Sequence, residues 1–233
     1  IDIWVQDGKL LLCHEDCSST SKILKAGSPA LSFRRYLEVA KKFLDTHPLE
    51  IISFELENYA TTEQTYEVIK SVPGLTNYIL TPKDYDPLKN NGNWPTLKWL
   101  VDNKKRLIIF DTTGQSLPYG FNTDNYVIRN MYGELDMDKA CVLRTASTNK
   151  RTLYQLNYFG TVTSLLASNN TPATLQKVWI KCQEKGVIAK GKTPNFIAID
   201  YVNLGNAMRW VNNLNMGASR SLGGPAPMPG KPR

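Results

Sequence analysis

Polar side chains follow several short apolar runs of this sequence, at positions where predicted β-strands end. They are His14, Glu55, Glu57, Asp111, Asn157 and Asp200. In parallel α/β barrels the carboxyl ends of the strands form the catalytic face. These residue types favour acid–base chemistry without a Ser or Cys nucleophile. The sequence has no Gly-rich phosphate loop and no dinucleotide-binding fingerprint.

His14 and Asp200 are the predicted catalytic residues. His14 ends the run Lys-Leu-Leu-Leu-Cys, and an unperturbed imidazole titrates close enough to neutral pH to act as general acid or base. A purely structural histidine is the alternative. Asp200 follows Phe-Ile-Ala-Ile, where it is predicted to orient or polarise a histidine. Its alternative role is to cap the next helix.

Two further pairs are predicted to bind metal or substrate. Asp2 and Glu57 lie on strands that are neighbours in the sequence, so both carboxylates can project to one face. Such a pair binds a hard cation such as Ca²⁺ or accepts hydrogen bonds from a sugar hydroxyl; a structural ion pair with a lysine is the alternative. Asn157 and its neighbour Tyr158, at the end of another strand, are predicted to contact substrate.

The elements that position these residues alternate between strand and helix patterns. Strands are predicted at 1–5, 9–14, 51–56, 78–80, 106–110, 126–129, 153–159 and 196–201, and helices at 29–44, 62–70, 95–103, 172–185 and 204–214. Because 1–5 and 9–14 read as one strand continued across a turn, this makes about seven strands, one short of a closed (β/α)8 TIM-type barrel. The first strand is expected to lie upstream of Ile1. Residues 1–217 form the predicted barrel domain, and 218–233 a flexible, basic Pro/Gly-rich tail.

The cysteines and charges indicate compartment and partners. Cys13 with Cys17, and Cys141 with Cys182, are interpreted as two disulfides, with a zinc site as the alternative. Disulfides imply a secreted protein, with which the sequon at Asn169 is compatible. The net charge is +7. From Lys181 onward there are eight Lys or Arg and two acidic residues. Such an excess of positive charge is typical of a surface that contacts anionic lipid, and equally of a basic face that is only solvated. Basic and aromatic residues are not interleaved as in a nucleic-acid-binding protein.

An ordered set of segments resembles the phosphatidylinositol-specific phospholipase C X-domain family. The segments are Ile-Asp-Ile-Trp and Leu-Leu-Cys-His14, Phe43 to Ile52, Leu-Glu57-Asn, Asn93 to Leu97, Asn103 to Phe110, Leu156 to Phe159, and Asn195 to Tyr201. They extend over nearly the whole chain, to about Asn215. Cys17, Cys141 and Cys182 also fall where such relatives carry cysteines.

The resemblance implies the (β/α)8 phosphodiesterase barrel and phosphodiester cleavage by two histidines. One deprotonates the inositol 2-hydroxyl, and the other, matched by His14, protonates the leaving diacylglycerol oxygen. Asp2 and Glu57 match metal ligands of the calcium-dependent members, and Asp200 matches an aspartate that supports the first histidine. The implied partner is a phospholipid head group or membrane surface, contacted peripherally by a secreted monomer active in lipid metabolism.

Two departures from the family pattern favour other readings. The first histidine would lie before Ile1, so this chain alone is expected to show little or no turnover; His47 is predicted at a helix end on the opposite face. Trp4 stands where the bacterial members have a phosphate-binding arginine. The alternative is therefore a catalytically inactive protein that binds a lipid head group or another anion. A glycerophosphodiesterase or toxin-type sphingomyelinase would need a denser carboxylate cluster.

Overall fold

The computed structural model describes residues 1–13, 17, 31–112, 117–144, 152–160 and 170–221, with side chains described as far as residue 217. The contacts divide the chain into two compact units, Ile1–Tyr126 and Val127–Arg233. We call them unit 1 and unit 2. Each unit combines strands with helices and has its own apolar core.

Unit 1 is built on a seven-stranded sheet. Its strands are β1 (Asp2–Gln6), β2 (Lys9–Leu12), β3 (Leu31–Ser32), β4 (Ile52–Asn58), β5 (Ile79–Leu80), β6 (Leu107–Asp111) and β7 (Phe121–Asn122). The order is β3-β2-β1-β4-β6-β5, and β7 also pairs with β6. Strands β1, β4, β5, β6 and β7 run parallel, whereas β2 is antiparallel to both β1 and β3. The parallel part of the sheet has a common carboxyl edge.

The β1–β2 hairpin extends past that edge. The first residues of β1 pair with the last of β4, Asp2 with Glu57 and Ile3 with Asn58. The rest of β1 therefore continues beyond the end of β4, paired with β2. Asp7 and Gly8 join the two strands with φ of 50° and 71°, as a two-residue turn with the favoured hairpin twist requires. Glycine adopts this left-handed conformation without a steric cost.

The helices of unit 1 are α1 (Phe33–Thr46), α2 (Thr62–Lys70), α3 (Leu97–Asp102) and α4 (Thr123–Tyr126), with 3₁₀ helices at Leu75–Tyr78 and Pro87–Asn90. Ser32 caps α1, and Thr61 with Gln64 forms a capping box on α2. Both caps satisfy amide groups that a helix start leaves unpaired. Apolar side chains of α1 and α2 pack with those of β1, β4 and β6 in one core.

Unit 2 contains a three-stranded parallel sheet. Strand β9 (Leu153–Asn157) lies between β8 (Val127–Arg129) and β10 (Phe196–Ala198). Its helices are α5 (Met137–Ala140), α6 (Pro172–Glu184) and α7 (Ala207–Ser221). Leu175, Val178 and Trp179 of α6 pack with Tyr154 and Leu156 of β9 in a second core. No described helix has the length and apolar content of a membrane span.

Both predicted disulfides are present. Cys13 is bonded to Cys17 in unit 1, and Cys141 to Cys182 in unit 2. The second disulfide is buried and joins the residue after α5 to α6. The disulfide interpretation is therefore confirmed over the zinc site, and it fits the proposed oxidising environment.

The α/β class is confirmed, whereas the closed TIM-type barrel is not. Within the described residues the strands pair as two sheets, one in each unit. The predicted elements are found with shifted ends: α1 begins at Phe33 because Ser32 caps it, and α7 begins at Ala207. The single barrel domain 1–217 stays a prediction, and the predicted tail, apart from the end of α7, lies outside the described residues.

Candidate functional site

Asp2 and Glu57 lie next to each other at the carboxyl edge of the unit 1 sheet. They are register partners on the parallel strands β1 and β4, so their side chains project from the same face. Ile3, Phe54 and Leu56 alternate with them and point into the helix-packed core. Asp2 is half-buried and Glu57 exposed. We call these two residues the carboxylate pair.

An aromatic pair holds Glu57 in place. The hydroxyl of Tyr59 donates a hydrogen bond of 2.7 Å to Glu57 Oε1. Its ring stacks on that of Trp4, with 4.0 Å between the centroids and 20° between the planes. The backbone amides of Glu57 and Tyr59 donate to the carbonyls of Ile1 and Ile3. Trp4 therefore contributes packing to this edge and no positive charge.

The carboxylate pair has the donor chemistry of a hard-cation site, because Ca²⁺ prefers carboxylates and other oxygen ligands. Among the described residues, no group of three or more His, Cys, Asp or Glu side chains is arranged to hold a metal ion. Asp2 and Glu57 offer two ligands of this type, and their binding of Ca²⁺ stays a prediction. Water or substrate oxygens would be needed to reach about six to eight.

A buried hydrogen-bond network fixes the ends of β4 and β6 on the core side. Asn58 donates to Asp111 Oδ2 and to Thr65 Oγ1, each at 2.9 Å, and its own oxygen accepts from the amide of Ala60. Tyr119 donates to the same Asp111 oxygen at 2.7 Å. Burial, and then the charge of Asp111, raises the pKa of the Tyr119 hydroxyl. This network holds the turn that follows Glu57.

In unit 2, buried polar residues share the sheet face that points away from α6. Arg129 and Gln155 are register partners on β8 and β9, and Asn157 is two residues further along β9. Gln155 donates to Asn157 Oδ1 at 2.9 Å. Asn157 and Asn130 exchange side-chain and backbone hydrogen bonds of 2.7 to 2.8 Å. We call Arg129, Gln155 and Asn157 the polar face.

The predicted residues Asp200 and Tyr158 both follow the ends of strands in this sheet. Asp200 comes two residues after the end of β10 at Ala198, beyond the part of the chain that alternates as a strand. It is exposed, and α7 begins only at Ala207, so Asp200 does not cap that helix. Tyr158 is buried in the core, and its hydroxyl donates to the carbonyl of Leu135 at 2.9 Å. Burial raises its pKa; its contact with substrate stays a prediction.

His14 and the sequon residue Asn169 lie outside the described residues. The residue before His14 is described: the amide of Cys13 donates to the carbonyl of Asp2 at 3.3 Å. Cys13 therefore lies opposite Asp2. His47, by contrast, is the C-cap of α1.

Sequence reasoning missed Arg129 and Tyr59. Arg129 is a charged residue at the carboxyl end of a strand. The same pattern selects Asp200, and at the end of β8 it also selects Arg129. Tyr59 is two residues after Glu57, but its hydrogen bond depends on how β4 ends and on the stacking with Trp4. No local pattern indicates that contact.

The chain is similar to three curated proteins. A PI-PLC X domain-containing protein 1 of Arthroderma benhamiae is 30% identical over 135 residues, 56% of this chain and 41% of the relative. An uncharacterized secreted protein of the same fungus is 24% identical over 227 residues, 86% of this chain and 48% of the relative. A PI-PLC X domain-containing protein of Arabidopsis thaliana is 24% identical over 215 residues, with coverages of 86% and 47%.

The chain spans less than half the length of each of these relatives. No solved structure matches it significantly. The PI-PLC X family model matches residues 3–215, which include Glu57 of the carboxylate pair, β2, all of β1 except Asp2, and the whole of the unit 2 sheet. Because this match extends over most of the chain, the protein belongs to the PI-PLC X family.

Proposed function

We propose that the protein is a secreted phosphoric diester hydrolase of the phosphatidylinositol-specific phospholipase C type, which cleaves a lipid head-group phosphodiester by general acid–base catalysis. The observation that carries the proposal is the family match over residues 3–215, in a chain whose Asp2 and Glu57 are register partners. Secretion is supported by the two disulfides and by a relative named as a secreted protein.

In this proposal His14 is the general acid that protonates the leaving oxygen. The backbone amide of Cys13, the residue before it, donates to the carbonyl of Asp2, one of the two predicted metal ligands. Asp2 and Glu57 bind Ca²⁺, which when bound supplies positive charge for the phosphate. Asn157 and Tyr158 contact substrate, Asp200 supports the first histidine, and the substrate is approached from a membrane surface.

The test is release of inositol phosphate from phosphatidylinositol by the full-length protein. We expect His14→Ala to lower the rate about 100-fold or more, since a positioned acid contributes on this order. Asp2→Asn and Glu57→Gln should raise the Ca²⁺ concentration needed for half-maximal rate. Glu63→Gln, on the exposed first turn of α2, is the matched control and should leave both quantities unchanged.

Equal rates for wild type and His14→Ala would remove His14 from the mechanism.

The second candidate function is that of a catalytically inactive head-group or anion-binding protein. The absence of catalysis in this candidate is favoured by Trp4, which packs on Tyr59 and supplies no charge where a phosphate-binding arginine would stand. Saturable binding of inositol phosphate without turnover, even with Ca²⁺, would select it.

A further inference from the structure

Tyr59 is half exposed at the carboxyl edge of the unit 1 sheet, and yet it is held at several points. Its side chain is 52% exposed, and it follows β4, which ends at Asn58. Its hydroxyl donates to Glu57 Oε1 at 2.7 Å, its ring stacks on Trp4, and its backbone amide donates to the carbonyl of Ile3 at 2.9 Å. Contacts with β1 and β4 therefore fix both the backbone and the ring of an exposed residue.

The residues on either side of Tyr59 are anchored by buried hydrogen bonds. Asn58 is buried and donates to Asp111, and the amide of Ala60 donates to the side-chain oxygen of Asn58 at 3.0 Å. Thr61 then caps α2. The direction in which the Tyr59 side chain leaves the backbone is thus set by the core of unit 1.

Glu57 gains a fixed orientation from this arrangement. An exposed glutamate otherwise samples many rotamers, and a cation that binds it has to restrict them. Within the described residues, Tyr59 is the only side chain that donates to Glu57, and no lysine or arginine there forms an ion pair with it. The hydrogen bond engages Oε1 of the carboxylate and leaves Oε2 for another ligand.

Asp2 is placed to share that ligand with Glu57. The two are register partners on neighbouring parallel strands, and such strands lie about 4.8 Å apart. Carboxylate oxygens coordinate Ca²⁺ at about 2.3–2.6 Å, so two side chains at this spacing can reach one ion. Carboxylates that bind a metal are themselves held by hydrogen bonds from neighbouring groups, and loss of such a group weakens binding about 10–100-fold.

We propose that Tyr59 is a positioning residue for the carboxylate pair. Its hydroxyl, with the ring fixed on Trp4, holds Glu57 in the orientation in which Glu57 and Asp2 bind Ca²⁺. Tyr59 acts through Glu57 and contacts neither the ion nor the substrate. The inference rests on the proposed function, in which the pair binds Ca²⁺, and it adds the residue that sets the affinity of that site.

Calorimetric titration with Ca²⁺, in the absence of lipid, tests this role without any need for turnover. We expect Tyr59→Phe, which keeps the stack on Trp4 and removes only the hydroxyl, to weaken Ca²⁺ binding about tenfold or more. The matched control is Tyr78→Phe. It removes a hydrogen bond of 2.9 Å from a tyrosine to the carboxylate of Asp45, away from the carboxylate pair, and should leave the affinity unchanged.

A double-mutant cycle separates positioning from general stabilisation. In the Glu57→Ala background, Tyr59→Phe should cause no further loss of affinity, because the hydroxyl acts only through that carboxylate. Equal Ca²⁺ affinities of wild type and Tyr59→Phe would overturn the proposal. An equal loss in Tyr78→Phe, or an undiminished loss in the Glu57→Ala background, would overturn it as well.

Absence of Ca²⁺ binding by the wild type would also overturn the positioning role. Release of inositol phosphate, measured in parallel, keeps this result apart from a failure of the proposed function. Turnover that persists in a chelator would retain acid–base catalysis and discard the cation site. Ca²⁺ binding that Tyr59→Phe weakens, in a protein without turnover, would retain the positioning role and select the inactive binding protein.

Discussion

Two tyrosines in unit 1 make the same contact in opposite environments. Tyr119 is fully buried and donates to Asp111, whereas Tyr59 is half exposed and donates to Glu57; both hydrogen bonds measure 2.7 Å. Water can replace the donor at Glu57 but not at the buried Asp111. A hydrogen bond to a buried charge therefore contributes more to stability than one at the surface.

We predict that Tyr119→Phe lowers the free energy of unfolding by about 2–3 kcal/mol, because a buried carboxylate loses a donor. Tyr59→Phe keeps the stacking on Trp4 and should cost no more than about 0.5 kcal/mol. Urea denaturation of the two variants provides the comparison. Equal losses would contradict a special role for the buried network around Asp111.

At the scale of elements, Arg106 connects the start of β6 to the end of α1. Its buried guanidinium donates to the carbonyls of Leu44, His47 and Glu50 at 2.8 to 3.0 Å, and it lies over the ring of Tyr78. The last carbonyls of a helix have no partner within the helix. Arg106 supplies that partner and fixes the direction in which the chain leaves α1.

Arg106→Lys is expected to lower the free energy of unfolding by about 2–4 kcal/mol, since an ammonium group cannot reproduce the planar set of donors. The control is Lys98→Gln, which removes an exposed ion pair with Asp102 and should cost at most about 0.5 kcal/mol. Thermal and urea unfolding measure both. A loss below that of the control would show that the carbonyls of α1 are satisfied by water.

Local patterns predict the elements well and their long-range contacts poorly. The alternation of polar and apolar residues in β1 and β4 correctly placed Asp2 and Glu57 on one face. Ser32 and Thr61 are caps that a sequence shows directly. The guanidinium of Arg106 and the hydrogen-bond network around Asp111 join residues more than 50 positions apart in the chain. Which groups become their partners depends on how the helices and strands pack.

The same limit applies to the barrel. The number of predicted strands indicated a closed barrel. Which strands pair, however, depends on which strand edges come together and in which register. Strands β5 and β7 have only two residues each, and both lie on the same side of β6. Such short segments carry too little hydrophobic pattern to specify a neighbour. The α/β class is predictable from alternation, whereas the two observed sheets are not.

At the scale of the molecule, each unit has its own core and its own disulfide. The loops that the two disulfides close differ greatly in length. Cys141 and Cys182 are 41 residues apart, whereas Cys13 and Cys17 are 4 apart. A longer loop loses more chain entropy when it is closed, so its disulfide restricts the unfolded chain more.

Replacing Cys141 and Cys182 by Ala should therefore lower the free energy of unfolding by about 4 kcal/mol, and replacing Cys13 and Cys17 by Ala by about 2 kcal/mol. Amide hydrogen exchange should show the first loss in β9 and α6, and the second in β1 and β2. If both double variants lost protection in the same strands, the two cores would not be independent units.

The hairpin at the start of unit 1 also bears on how the chain folds. Gln6 and Lys9 meet across a two-residue turn, so β1 and β2 can pair on the microsecond scale of an isolated hairpin. Pairing Asp2 with Glu57 needs a much longer closure, which is slower because more chain entropy is lost before contacts form. We therefore expect β1 to be paired with β2 already when β4 reaches it, so that the two carboxylates meet late. Fluorescence of Trp4, followed from microseconds to seconds after a temperature jump, should show two phases.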